Sequence, residues 1–193
     1  MSYQTYTTEA LVCGSFLHNT ADKVFILFTR EMGMLYATAK SVREERSKQR
    51  FALQDFSLIR VSLIKGKQGW RVGSVEAKTN YFTKAEDRTS RGSVVLIFKT
   101  LRRFIHGEES TPILFDFCLL ALEGVGRIIS KERSFWDLIV ELKILNELGY
   151  VDENNLPFGF KTAKFSELGG FQTELYGSKL EQLIEKAIAN SHL

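Results

Sequence analysis

The first 80 positions hold short strand-like apolar runs, several with a period of two, and after them the period changes to three or four. In the first part, residues 7–16 read as a strand that is broken or bent at Gly14. Residues 23–29, KVFILFT, are apolar on both faces, which predicts a central, well-covered strand. A short turn at 30–33 with Gly33 at its tip leads into a third strand over 34–40. A fourth strand over 56–65 carries Ile59, Val61 and Leu63 on one face, and a fifth runs over 70–78 after the Lys65-Gly-Lys-Gln-Gly69 loop. Short strands with one long connection after the third suit a small closed Greek-key barrel of the OB type. An SH3-like barrel competes with it, and periodicity does not separate the two.

The second part reads as helices. Val94, Ile97, Phe98, Leu101 and Ile105 fall on one helical face. Thr111-Pro112 has the form of a helix start, with Thr at the cap. The helix it opens, to about residue 128, is apolar nearly all round and is expected at the centre of a helical domain. Ser134 begins another, with Phe135, Leu138, Ile139, Leu142 and Leu145 on one face and Gly149 as its C-terminal cap. Residues 152–177 are irregular and contain Pro157. Ser178 to Glu181 has capping-box spacing and predicts a last helix to about Asn190, with Leu180, Leu183, Ile184 and Ile188 inward. The expected class is therefore α+β in two domains: a five-stranded OB-fold barrel over 1–80 and an α-helical domain over 81–193.

Charge divides along the same line. Through Asn80 there are twelve Lys and Arg against seven Asp and Glu; afterwards there are fourteen against sixteen. A basic half suits an anionic partner and an acidic half suits scaffolding or protein contacts. The excess concentrates in residues 40–50, where Lys40, Arg43, Arg46, Lys48 and Arg50 face only Glu44 and Glu45. No apolar run approaches the ~18 residues that span a bilayer, and MSYQTYTTEA lacks the charge and apolar core of a signal peptide. A cytoplasmic protein is the expectation. Cys13 and Cys118 sit in apolar runs and read as small buried hydrophobes; with no CxxC pair a cysteine zinc site is excluded.

Catalytic chemistry finds little footing. His18, His106 and His192 are scattered, and HExxH, GxSxG, P-loop and GxGxxG patterns are absent, so neither a metal nor a cofactor is expected. Asp116 and Glu123 on an apolar helix read as structural ion-pair partners of Arg102 or Arg127 rather than an acid/base pair. Binding chemistry is better represented. The 40–50 connection is one basic cluster; Lys65, Lys67 and Arg71 around the last strand loop are another, and Arg30 lies at the second turn. Cationic side chains displace the counterions condensed on a phosphate backbone, and aromatic faces stack on bases. Tyr36 and Trp70 are the aromatic candidates. For both, a base platform and ordinary core packing stay open, and a solvated surface is the ordinary reading of the charges.

The residues that carry a family resemblance are Glu9-Ala-Leu-Val12, Asp22-Lys-Val-Phe-Ile-Leu-Phe-Thr-Arg-Glu31, Gly33-Met-Leu-Tyr-Ala-Thr-Ala-Lys40 and Ala52-Leu-Gln-Asp-Phe56. In that order, around a basic connection, they resemble the N-terminal domain of RecO, a family of bacterial mediators of recombinational DNA repair. LKILNELGY at 142–150 resembles the family's LGY helix end. Phe165-Ser-Glu-Leu-Gly-Gly170 resembles a segment that many members place between zinc-ligand cysteines. Those cysteines are missing here, which predicts a degenerate, cysteine-free finger-like segment near 152–177, either metal-free or rearranged. The resemblance also implies a longer helical tail than follows that segment in this chain. It further implies binding of single- and double-stranded DNA, annealing of complementary strands, and help in loading recombinase onto strands coated by single-strand-binding protein. The implied partners are RecR and the acidic C-terminal tail of single-strand-binding protein, with no membrane and no hydrolytic activity. The alternative from another class is a protein-interaction adaptor whose OB-like domain docks a polypeptide and has no direct DNA role.

Overall fold

The computed structural model of the chain describes residues 4–129, 131–160 and 173–191. The five strands are β1 (Gln4–Leu17), β2 (Lys23–Thr29), β3 (Gly33–Ala39), β4 (Ser57–Gly66) and β5 (Gly69–Asn80). They follow one another around a closed barrel in the order β1-β2-β3-β5-β4. Neighbours are antiparallel except β3 and β5, which close the barrel through a short parallel pairing of Ala37 with Trp70 and Thr38 with Arg71. With the helices described below, the chain is α+β.

Alternation along the strands fills the barrel. Ala10 and Val12 from β1, Phe25 and Leu27 from β2, and Leu35 and Ala37 from β3 meet Ile59, Val61 and Leu63 from β4 in one buried cluster. The bend expected at Gly14 is a bulge: the β1–β2 register shifts between Val12 and Gly14. Its effect is directional. Strict alternation would send Phe16 inward after Ala10 and Val12. The extra residue instead sets Gly14 opposite Ile26 and Phe16 opposite Val24, on the outer face.

The 40–50 connection departs from the plain basic loop the sequence suggests. Val42 is buried and joins the barrel core together with Leu53. Between them α1 (Gln49–Ala52) makes a single turn, and Gln49 Nε2 donates to the Gly73 carbonyl at 2.6 Å. One apolar residue among charges has no period, so the sequence pattern does not register it.

The compact units are Met1–Lys84 with Ile105–Phe115, and Ala85–Phe104 with Asp116–Leu193. A division near residue 80 makes no provision for the return of 105–115 to the barrel unit. There the Met34 amide donates to the Gly107 carbonyl at 3.0 Å, and the rings of Phe28 and Phe115 lie 5.4 Å apart. Gly33 has a φ of +64°, and a Cβ on it would stand 2.3 Å from the Glu109 carbonyl oxygen. Glycine is therefore required there by both the backbone conformation and the close approach.

The first stretch of the barrel unit ends with the short α2 (Tyr81–Lys84). The second unit contains α3 (Arg88–Phe104), most of α4 (Pro112–Gly124), α5 (Arg133–Glu147) and α6 (Thr173–Asn190). Asp87 caps α3, accepting the Ser90 amide at 2.7 Å and both the Thr89 and Ser90 hydroxyls. α3 buries Val94, Ile97, Phe98 and Leu101, the face read from the sequence. Thr111 does not cap α4 with its side chain: its buried hydroxyl has no protein partner among the described residues. α5 ends as expected at Gly149, with φ +77° and the Tyr150 amide bonded back to the Leu145 carbonyl. α6 begins at Thr173, so Ser178 lies inside it and caps nothing; Leu180 and Ile184 are buried, joined by Ala187. Residues 161–172 of the finger-like segment, which include 165–170, fall outside the described residues. No helix among the described residues is long and apolar enough to cross a membrane.

Candidate nucleic-acid interface

The sequence candidates separate into two sets. The first lies at the end of the barrel reached by residues 105–115, and its members are held by carboxylates. Arg30, at the β2–β3 turn, donates from Nη2 to Glu9 Oε2 at 3.0 Å and lies 5.0 Å from the centre of the Phe115 ring. Trp70 is 6% exposed and belongs to the core. Its Nε1–H donates to Glu108 Oε1 at 2.7 Å, and the Tyr6 ring meets it edge-on at 5.4 Å. Lys65 Nζ lies 3.1 Å from Glu108 Oε2 and 4.9 Å from the Trp70 ring centre. Of the two roles open to Trp70, packing is the one it has; its faces are not available as a base platform.

The electrostatics agree. The Trp70 N–H, aided by Lys65 and opposed by partial burial, holds the Glu108 carboxyl below its ordinary range. Burial pushes the Glu9 carboxyl up, but bonds from Lys78 and Arg30 outweigh it, and it too sits low. Both groups stay charged and keep their cations occupied.

The second set is exposed, apart from the half-buried Arg71. Lys40 follows β3, and Arg46, Lys48 and Arg50 continue along the connection with their side chains in solvent. The Arg50 guanidinium lies 4.7 Å from the Phe51 ring centre. Lys67 is exposed in the β4–β5 turn. Because Ala37 pairs with Trp70, that turn runs alongside the middle of β3, beside Tyr36. Arg71 pairs with Thr38, which places it on the outer face next to the same strand. Tyr36 is 58% exposed. Phe16, which sequence reasoning missed, is 47% exposed, and its ring centre is 6.4 Å from that of Tyr36.

Arg43 departs from the rest of its run. Its Nη1 donates to the Thr20 carbonyl at 2.7 Å, its backbone amide donates to Ala21, and the neighbouring Ser41 amide donates to Asp22 Oδ1 at 2.7 Å. It ties the connection to the β1–β2 turn, and so positions the neighbouring charges. The arrangement offers a row of cations for an extended polyanion and two aromatic faces for flat rings. No group of His, Cys, Asp and Glu among the described residues is placed to hold a metal ion.

A β barrel with a basic, aromatic outer face is the class of structure these observations define. Its residues 1–81 match the family model described as the recombination protein O N-terminal domain. The chain is 30% identical over 146 residues to the DNA repair protein RecO of Caldanaerobacter subterraneus subsp. tengcongensis, an overlap of 75% of this chain and 58% of that protein. It is 28% identical over 145 residues to the RecO of Desulfitobacterium hafniense, covering 75% and 52%, and 31% identical over 133 residues to that of a Nocardioides species, covering 67% and 52%. The chain belongs to the RecO family. It spans little more than half the length of these curated relatives.

Proposed function

We propose that the chain acts in recombinational DNA repair as a DNA-binding mediator. It binds single- and double-stranded DNA through the exposed cations of its barrel. It anneals complementary strands without ATP, because a basic coat lowers their mutual repulsion. It also assists recombinase loading onto strands coated by single-strand-binding protein, with RecR and the acidic tail of that protein as partners. The barrel is taken as an OB fold: its β1-β2-β3-β5-β4 order, closed by parallel β3 and β5, supports that assignment over an SH3-like one. No catalytic step is assigned to it.

The observation that carries the proposal is the exposed row Lys40, Arg46, Lys48 and Arg50 on a barrel whose sequence matches a recombination-protein domain. Titration of a labelled oligothymidylate at several salt concentrations tests it. A cation that contacts a single-strand phosphate adds about 0.7 to the slope of log affinity against log salt. Undetectable binding at low salt would favour the adaptor reading, in which the basic connection meets an acidic polypeptide.

A further inference from the structure

Phe16 and Tyr36 are not accounted for by phosphate contacts. They stand on the outer face of the barrel, diagonally across β2, because Phe16 is opposite Val24 and Tyr36 is opposite Ile26. Each is about half exposed although the ring centres are only 6.4 Å apart. Phe16 reaches this face only through the bulge between Val12 and Gly14; without that extra residue its ring would point into the barrel. Gly14, beside it and opposite Ile26, adds no side chain to the surface.

The surroundings select the occupant. Arg71 stands beside Thr38, one strand from Tyr36; the Lys67 turn runs alongside β3; and Lys40 follows the end of that strand. An apolar polypeptide would have no use for this basic border, whereas a strand of nucleotides presents flat apolar rings and a charge on every link. We infer that Phe16 and Tyr36 form a stacking platform for unpaired bases, a contact that single strands make and duplex does not. A duplex keeps its base faces covered and gains only the phosphate contacts. The inference rests on the DNA-binding function proposed above and adds the group that is recognised.

The test compares two oligonucleotides of equal length and charge, an oligothymidylate and its fully abasic counterpart, against the wild-type protein, Tyr36→Leu, Phe16→Leu and Tyr36→Phe. Each ring that stacks a base is expected to contribute about tenfold in affinity for the thymidylate. Tyr36→Leu and Phe16→Leu should each lose about that factor while their abasic affinity stays unchanged, and Tyr36→Phe should behave as wild type. Unchanged abasic affinity also shows that the variants are folded. Equal wild-type affinity for both oligonucleotides would overturn the platform and leave DNA binding standing. A thymidylate preference that survives both leucine substitutions would overturn it as well and place the base contact elsewhere on the chain. Binding to neither oligonucleotide would remove the DNA-binding function and the platform together.

Discussion

The two faces of the barrel use the same residue types to opposite ends. At the end closed by residues 105–115, an arginine, a lysine and a tryptophan are matched to carboxylates: Arg30 to Glu9, and Lys65 and Trp70 to Glu108. On the outer face of β1 and β3, Phe16 and Tyr36 are open, and along the 40–50 connection, which Gln49 ties to β5, the 46–50 cations face solvent. A basic or aromatic residue offers itself to a ligand only when the fold leaves it exposed and does not match it to a carboxylate. At the closed end the side chains hold the barrel together; on the open face they are left for a ligand.

The largest expected effect separates the two tryptophan and tyrosine sites. Trp70→Ala should destabilise the barrel by about 3–5 kcal/mol, the usual range for removing a buried large aromatic. Tyr36→Ala should change stability by no more than about 0.5 kcal/mol, as for other surface substitutions. Urea unfolding of both variants checks this, and similar losses would erase the contrast. Gly33→Ala comes next. Its positive φ and the overlap with Glu109 predict a loss of more than ~1 kcal/mol, readable in the same assay.

Sequence pattern located the five strands to within a few residues because each carries a short alternating or wholly apolar run bounded by turn residues. It also found the Gly33 turn and the Gly149 cap, where one residue type is conformationally required. It missed what depends on partners far along the chain. Glu108 lies 38 residues from Trp70, and no local period announces that a carboxylate will return to cover the indole N–H. Val42 sits among charges, and Phe16 is reversed by a bulge of one residue. Arg43 looks like its neighbours in sequence and differs from them only in lying against the β1–β2 turn. Ser178 has cap spacing, yet helix runs through it from Thr173.

A smaller effect concerns acid. Glu108 is held below its ordinary range chiefly by the Trp70 N–H, so its contribution to stability is full above the ordinary glutamate range and is lost as pH falls through the lowered value. Glu108→Gln should therefore show a shallower decline in urea midpoint between pH 7 and pH 3.5 than wild type. Identical declines would mean that the Trp70 contact does not depend on the charge. Because Lys65 and Glu108 are both about half exposed, the difference is expected to be modest.

The most direct measurement is the salt dependence of single-strand binding for two variants that each remove cations from one face. Replacing Arg46, Lys48 and Arg50 by Ala should flatten the slope of log affinity against log salt by roughly two units if all three reach phosphates. Their loss should leave stability within ~1 kcal/mol, since exposed charges contribute little. Replacing Arg30 and Lys65 by Met should leave the slope where it was, because both cations already face carboxylates. An unchanged slope in the first variant, with a flattened one in the second, would place the DNA on the closed end and contradict the account.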